Sequence, residues 1–363
     1  MSRERVAVAM SGGVDSSVAA ALLLEQGYEV VGLTMQIWPR DADPNPCPGV
    51  RACCGIDAVT DARRVAQTVG IPHYVINLRD AFQQLVIDAF CDEYIRGRTP
   101  NPCIRCNTYV KFGDLLHRAR EIGAERLATG HYARAGFDDT RRRWVIWRAV
   151  DRGKDQSYTL YDLRQEQLAR ALFPLGEITK KETRAKARKI GLTVSEKPES
   201  QQICFVAERS YRDYLSRSRP GASQPGPIVD KEGRQIGRHK GIAFYTVGQR
   251  HGLRIAHHSP LYVIAIDAER NRLIVGSDQD LHSRGLFMRD VNYVSVPDLP
   301  GTGLKLRAKI RYGAQPIACA AWKEDDGVAL RFARPQRAVT PGQAAVCYDE
   351  DVVAFGGIIE GSR

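Results

Sequence analysis

Seven consecutive residues, Ser11-Gly12-Gly13-Val14-Asp15-Ser16-Ser17, carry the densest phosphate-binding chemistry in the chain. Two glycines let the backbone turn tightly and aim successive N–H groups at one point. A helix starting there adds its unbonded first-turn N–H groups and partial positive charge, and three hydroxyls add donors. The apolar run Val6–Met10 before it and the small residues after it predict the required strand–turn–helix. No Gly-Lys-Ser/Thr follows, so this is not a Walker A loop. The plainer reading, a glycine turn with a serine helix cap, leaves the paired glycines and Asp15 without a purpose.

Thiols are the second source of chemistry. The chain has nine cysteines, an odd number, and Met1 leads directly into a strand-like run rather than a leader. Both features lead us to expect the reducing cytoplasm, where thiols catalyse, bind metals or fill cores. Cys106 follows Arg105 and lies close in sequence to Arg98 and Lys111, and neighbouring cations favour the thiolate. Cys204 sits on a distant segment. Two such thiols can divide a sulfur transfer, one carrying the sulfur as a persulfide and the other reducing or anchoring it. Each is equally compatible with a buried structural role.

Cys103-Ile-Arg-Cys106 forms a C-x-x-C pair. With Cys204 it offers three ligands for a [4Fe–4S] cluster with one open iron. It also suits a redox pair, or zinc if two further ligands converge. Cys53-Cys54, with Cys47 upstream, reads as a helix-entry segment rather than a metal site, because adjacent side chains point apart. Cys91, Cys319 and Cys347 lie in apolar patterns and are expected in cores.

Several blocks of this sequence resemble one known family. The glycine turn is similar to the pyrophosphate loop of ATP pyrophosphatases, which split ATP between the α and β phosphates and transfer AMP to an oxygen. Arg98-Thr-Pro-Asn-Pro-Cys-Ile-Arg-Cys-Asn107 with Lys111-Phe112 resembles the nucleophile segment of tRNA-specific 2-thiouridylases. So do Ala128-Thr-Gly-His-Tyr-Ala-Arg134, Lys154-Asp-Gln-Ser-Tyr158, Ser200-Gln-Gln-Ile-Cys-Phe205, Tyr245-Thr-Val-Gly-Gln-Arg250 and Pro335-Gln-Arg-Ala-Val-Thr-Pro-Gly-Gln343. The blocks run in family order over essentially the whole chain.

The resemblance implies ATP-dependent replacement of the wobble uridine's C2 oxygen by sulfur. It implies Cys106 as nucleophile and Cys204 as the persulfide-bearing cysteine. Ala9, Met10, Ser11, Gly12, Gly13, Val14, Asp15 and Ser16 would wrap the ATP phosphates, with Met35 and Gly130 as further ATP contacts. Mg²⁺ is expected on the phosphates, with Asp15 a candidate ligand. Asn101, Pro102 and Cys103 would adjoin the target base, and His131 would take part in tRNA discrimination. Lys154, Asp155 and Gln156 match one tRNA-contact segment, Arg311 and Tyr312 a second, and Gln343 a third. The implied partners are the anticodon arm of tRNA and an upstream sulfur-donor protein. Many members carry Asp where this chain has Cys103, which is what brings the cluster and redox readings into play. A small-molecule ATP pyrophosphatase would leave Cys106, Cys204 and the β-rich tail idle. A non-catalytic RNA-binding or metal-sensing protein would leave the phosphate loop idle.

These residues need a scaffold. Strand-like runs at Val6–Met10, Val30–Trp38, His73–Leu78 and Arg126–Arg134 alternate with helical stretches at Ser16–Gln26, Ala58–Val69, Leu85–Arg96 and Lys111–Ile122. Gly27, Gly70 and Gly123 fall where helices end. Such alternation predicts an α/β domain over 1–208, a parallel sheet covered on both faces, with chemistry beyond the strands' carboxyl ends. Arg217–Lys240, rich in Gly, Pro and charge, reads as a linker with a turn at Asp230-Lys-Glu-Gly233, leading into a small central tRNA-contacting domain over 209–285. Short alternating runs at Leu304–Tyr312, Ile317–Lys323, Val328–Arg334, Ala344–Tyr348 and Val352–Ile359 predict a C-terminal antiparallel β-barrel over 286–363.

Composition limits the function classes. Lys and Arg total 53 against 42 Asp and Glu, a formal charge of +11. That excess suits a polyanionic partner, or solubility alone. The longest clean apolar run, Val18–Leu24, is far short of the roughly 20 residues a bilayer demands, so no membrane role is expected. The cationic series Lys180, Lys181, Arg184, Lys186, Arg188 and Lys189, on a helix expected to open at Thr179, reads equally as an RNA-facing or a solvated face.

Overall fold

The computed structural model describes residues 3–38, 56–196, 203–206 and 211–363; Cys47, Cys53 and Cys54 lie outside them. The chain divides into two compact units. The first comprises Met1–Ile87, Pro102–Glu208 and Asp351–Val353, and the second Asp88–Asn101, Arg209–Glu350 and Ala354–Arg363.

The first unit is built on a parallel sheet. Strand β1 (Arg5–Ala9) leads through a glycine turn into helix α1 (Val14–Glu25), then β2 (Glu29–Gln36), helix α2 (Ile56–Val69) and β3 (His73–Asn77). Later come β4 (Arg126–Ala128), a hairpin of β5 (Ala133–Asp138) and β6 (Arg143–Arg148), and the short β7 (Ala171–Leu172). The sheet order is β3-β2-β1-β4-β7, all parallel. Val6, Ala7 and Val8 of the central strand are all fully buried, as a strand covered on both faces requires. Their core includes Val18 and Leu23 of α1, Val65 of α2 and Ala187 of a later helix. Gly27, Gly70 and Gly123 each follow a helix with positive φ, the conformation expected for helix-ending glycines.

Because the chain runs outward from β1 to β2 and β3, then returns to place β4 on β1's other side, the switch point lies between β1 and β4. Open parallel sheets bind ligands there, beyond the strand ends. The expected strand Arg126–Arg134 divides around it. It ends at Ala128, leaves a loop through Thr129–Tyr132, and resumes as β5, because Gly130 must pass close to the turn after β1.

The second unit contains a small sheet and a barrel. Strands β8 (Gly226–Val229), β9 (Gln235–His239), β10 (Tyr262–Asp267) and β11 (Arg272–Gly276) pair in the order β10-β11-β8-β9. The expected linker Arg217–Lys240 therefore contains the β8–β9 hairpin. Its turn is where the sequence put it, with Gly233 at positive φ and the Asp230 carboxylate accepting from the Glu232 and Arg234 amides. The charge and glycine density marked a tight turn, not a free linker.

Strands β12 (His282–Tyr293), β13 (Leu304–Lys309), β14 (Ile317–Glu324), β15 (Gly327–Arg337), β16 (Ala344–Asp349) and β17 (Val352–Ser362) run in the order β12-β15-β14-β13-β16-β17. β17 pairs back onto β12, closing an antiparallel barrel without an open edge. The sequence reading omitted β12. Cys319 and Cys347 are buried in the barrel core, as expected, alongside Leu286, Phe332 and Phe355.

Candidate active site

The turn after β1 is shaped for an anion. Gly12 adopts φ +67°, and a Cβ there would lie 2.4 Å from the Ala58 carbonyl oxygen. Helix α1 starts on Gly13 with no side chain capping its first turn. The expected serine cap is thus absent; Ser16 and Ser17 instead donate their hydroxyls to the Gly13 carbonyl, at 3.2 and 2.8 Å. The Ser11 amide in turn donates to Ser16 Oγ at 3.2 Å, which closes the loop on itself. Gly130, after β4, touches this loop: a Cβ there would stand 2.6 Å from the Ser16 nitrogen. Only a residue without a side chain lets the two loops of the switch point approach this closely. Met35 is buried near the carboxyl end of β2, the neighbouring strand.

Asp15 has partners that the sequence did not announce. Lys180 Nζ lies 2.7 and 2.8 Å from its two carboxylate oxygens, and the Tyr132 hydroxyl donates to one of them at 2.9 Å. The Lys180 ammonium also lies 5.7 Å from the Tyr132 ring centre. Thr183 Oγ1 is 2.9 Å from the same hydroxyl. Lys180 opens a helix, Lys180–Lys189, whose start is fixed by a reciprocal Thr179–Glu182 capping box. This corrects the reading of the cationic series as one face. Lys180 is buried against the phosphate loop, Arg184 donates to the Ser195 carbonyl, and Lys186 and Arg188 pair with Glu25 and Glu196. The available signal was the Thr179 cap, which puts Lys180 at the first helical position, apart from the exposed stripe.

Cys103 and Cys106 stand on a helix, not a loop. A short α-helix, Pro102–Arg105, runs directly into a π-helical stretch, Cys106–Leu115, then α-helix to Glu121. The sequence reading began this helix only at Lys111. Wider π turns are uncommon and cluster at functional sites. Here the Gln167 side chain steadies the stretch by donating to the Thr108 and Phe112 carbonyls at 2.8 and 3.0 Å. Asn107, buried, donates to the Thr159 carbonyl and accepts from Lys111 Nζ at 2.9 Å.

The cations expected around Cys106 are mostly engaged elsewhere. Arg98 is held by Glu93 and makes a two-pronged contact with Glu360. Arg105 donates to the Leu85 carbonyl at 2.7 Å and lies over the Tyr109 ring. Cys103 is exposed, and Cys106 and Cys204 are half-buried, all as thiols. Arg105 and Phe205, the neighbours of Cys106 and Cys204, both dock on one helical region: Arg105 on Leu85, and Phe205 edge-on to Phe82 at 5.8 Å.

The [4Fe–4S] reading does not fit these residues. Cys103, Cys106 and Cys204 are all described, yet no group of three or more His, Cys, Asp or Glu among the described residues gathers closely enough to hold a metal ion. The C-x-x-C spacing on a helix does not by itself make the third ligand converge.

His131 is half-buried beside the loop, its Nδ1 2.7 Å from Thr129 Oγ1. Burial, reinforced by the Lys111 cation, holds its imidazolium well below the usual histidine range. Asp155 is buried against Arg148 at 3.2 Å and accepts from the Ala149 and Ser157 amides, so it shapes its loop rather than presenting a carboxylate to RNA. Gln156 accepts from the Tyr132 amide. Gln343 donates to the Thr99 carbonyl at 2.7 Å, two residues before Asn101. Arg311 and Tyr312 are exposed, as is much of the loop carrying Lys154.

Comparison with known proteins decides the family. A protein-family model described as "tRNA methyl transferase HUP domain" matches residues 4–208; models described as "tRNA methyl transferase PRC-barrel domain" and "Aminomethyltransferase beta-barrel domain" match 212–277 and 283–359. A protein of Moorella thermoacetica named "tRNA-specific 2-thiouridylase MnmA" is 52% identical over 97% of this chain and 98% of its own. One of the same name from Heliobacterium modesticaldum is 51% identical over 98% of this chain and 92% of its own. The chain belongs to the tRNA-specific 2-thiouridylase family. It is therefore a tRNA sulfurtransferase forming 2-thiouridine, with a HUP domain, a central PRC-barrel domain and a closed C-terminal barrel. The family-model descriptions speak of methyl transfer, but near-full-length identity above 50% carries more weight than a domain label. Among the described residues no helix is long and apolar enough to cross a membrane.

Proposed function

We propose that this thiouridylase works by adenylation followed by thiol-borne sulfur transfer. The target is a pyrimidine carbonyl, whose oxygen is a poor leaving group. The phosphate loop and α1's first turn bind the ATP phosphates, and the C2 oxygen attacks the α phosphate. Pyrophosphate departs, and the oxygen is now part of AMP, a good leaving group. When bound, Mg²⁺ would neutralise the phosphates; Asp15 has the chemistry to meet it, which would release Lys180 towards the departing pyrophosphate.

Cys204 carries the incoming sulfur as a persulfide delivered by a sulfur-donor protein in the cytoplasm. Its terminal sulfur attacks C2, and AMP leaves with the C2–O bond. The Cys106 thiolate then attacks the Cys204 sulfur of that linkage. The S–S bond breaks, both electrons stay on the sulfur at C2, and 2-thiouridine forms with a Cys106–Cys204 disulfide. A thiol reductant regenerates both cysteines. Asn101, Pro102 and Cys103 adjoin the extruded base, and Met35 and Gly130 bound the nucleotide.

One observation supports this reading above the rest: the glycine turn meets Gly130 at the sheet's switch point with Asp15 and Lys180 already paired beside it. The test is AMP and pyrophosphate release in the presence of unmodified tRNA and a persulfide source, with the tRNA mass read afterwards. Cys106→Ser and Cys204→Ser should each abolish the oxygen-to-sulfur mass gain while leaving ATP affinity intact. Thiolation by both variants, or AMP release indifferent to tRNA, would refute the residue roles.

A further inference from the structure

The second unit holds an open cavity of about 740 Å³ that the thiolation chemistry leaves unused. Its walls include Tyr211, Arg212, Arg250, His251, Tyr262 and Arg337, and no carboxylate lines it. Among the described residues neither Arg212 nor Arg250 forms an ion pair or hydrogen bond. That is unusual in this protein, where most arginines meet an acid. Arg337 is oriented by Asp278 at 2.9 Å and stacks over the Tyr262 ring at 5.2 Å. Just outside, Arg311 donates to the Ala338 carbonyl, adding a further cation to the rim.

The loop carrying Arg250 is built before any ligand arrives. The Gln249 side chain accepts from the Thr246 amide and donates to the His251 carbonyl, bracing both ends. The Gly248 amide donates to the Val263 carbonyl, and the Val263 amide to the Gln249 carbonyl. Gly248 has φ +92°, and a Cβ there would stand 2.8 Å from that of Ala338, so the loop is pressed against the barrel side of the unit. On the opposite wall, Tyr211 stacks on Tyr94 at 4.7 Å. Rigid guanidinium groups without counter-ions, together with aromatic faces, suit a phosphodiester and the base beside it.

We propose that this cavity is a second RNA site, holding one unpaired or splayed nucleotide of the tRNA away from the reacting uridine. Arg212 and Arg250 grip its phosphate, and the Arg337–Tyr262 stack lies against its base. The inference rests on tRNA being the substrate, but not on the adenylation or persulfide steps.

Full-length protein, an unmodified tRNA transcript labelled with a fluorophore, and anisotropy without ATP supply the test, with salt varied from low to moderate. Arg212→Gln with Arg250→Gln should weaken binding about tenfold. It should also flatten the slope of log Kd against log salt by about 1.4, at about 0.7 per phosphate lost on single-stranded RNA. Arg250→Lys should keep the slope and lose part of the affinity, because charge survives while the fork does not. ATP affinity of each variant reports an intact first unit. Wild-type affinity and slope in the double variant overturn the proposal and leave an acidic protein surface as the cavity's occupant. Failure of the wild-type protein itself to bind tRNA would sink the proposed function along with it.

Discussion

The phosphate loop of the first unit and the cationic cavity of the second handle positive charge in opposite ways. Lys180 is neutralised inside the protein by Asp15 and shielded from solvent. Arg212 and Arg250 face an open cavity with no acid in its wall. A buried cation must carry its counter-ion, since leaving it alone would cost more than folding can offset. It becomes available only when another group takes over the carboxylate. Exposed arginines need no such exchange and attract polyanions from a distance. One region is therefore arranged to swap partners during a reaction and the other to capture a large substrate beforehand.

The strongest way to break this division is Cys106→Ser. If chemistry belongs to the first unit and capture to the second, thiolation should fall by roughly a thousandfold or more while tRNA affinity stays unchanged. A parallel loss of tRNA affinity would mean the two tasks are not separate. Lys180→Met comes next. It strands Asp15, and because that carboxylate is partly exposed we expect about 2 kcal/mol of lost stability in denaturant titration. Tacking Asp15→Asn onto it should restore most of that stability but not AMP release. Equal defects in single and double variants would show that the pair is not a coupled unit.

Much of the first region was legible because its chemistry is local. The glycine turn, the helix-ending glycines and Gly130 each owe their identity to backbone conformation or close approach, which a few adjacent residues encode. Lys180 was not legible, for Asp15 and Lys180 are 165 residues apart and only the sheet brings them together. The π-helical stretch at Cys106–Leu115 was hidden for a similar reason: Gln167, 59 residues beyond Thr108, satisfies carbonyls that an α-helix would have used itself. Strand β12 was missed because its run is interrupted by Gly285, Arg289 and Asp290, which break the alternation the other barrel strands keep. The metal reading failed because spacing within one segment says nothing about where the third thiol lies.

Smaller effects sharpen the contrast further. Burial lowers the imidazolium pKa of His73, with Arg63 adding to it, and of His131, with Lys111 adding to it. Their unfolded value is about 6.5. The unfolded chain thus binds more protons over the interval below that value, so stability is greatest above it and declines as pH falls through it. Urea midpoints measured from pH 8 to pH 5 should drop, and His131→Asn should flatten part of the drop; an unchanged profile would show that His131 is not the group responsible. Smallest is Thr179→Ala, which removes the cap positioning Lys180 and should cost about 1 kcal/mol. Its effect on pyrophosphate release should exceed its effect on tRNA affinity, and the reverse order would contradict the division of labour.

Arg98, just ahead of the cysteine-bearing helix, is clasped by Glu360 on strand β17, 262 residues later. On a ribosome adding about 5–20 residues per second, that clasp cannot form until roughly 13–50 s after Arg98 has been made. The nascent HUP domain therefore waits, its Thr-Pro-Asn turn unanchored, until the closing strand emerges. Synthesis itself withholds one fastening of the thiol segment until the barrel that reads as a mere tail is nearly complete.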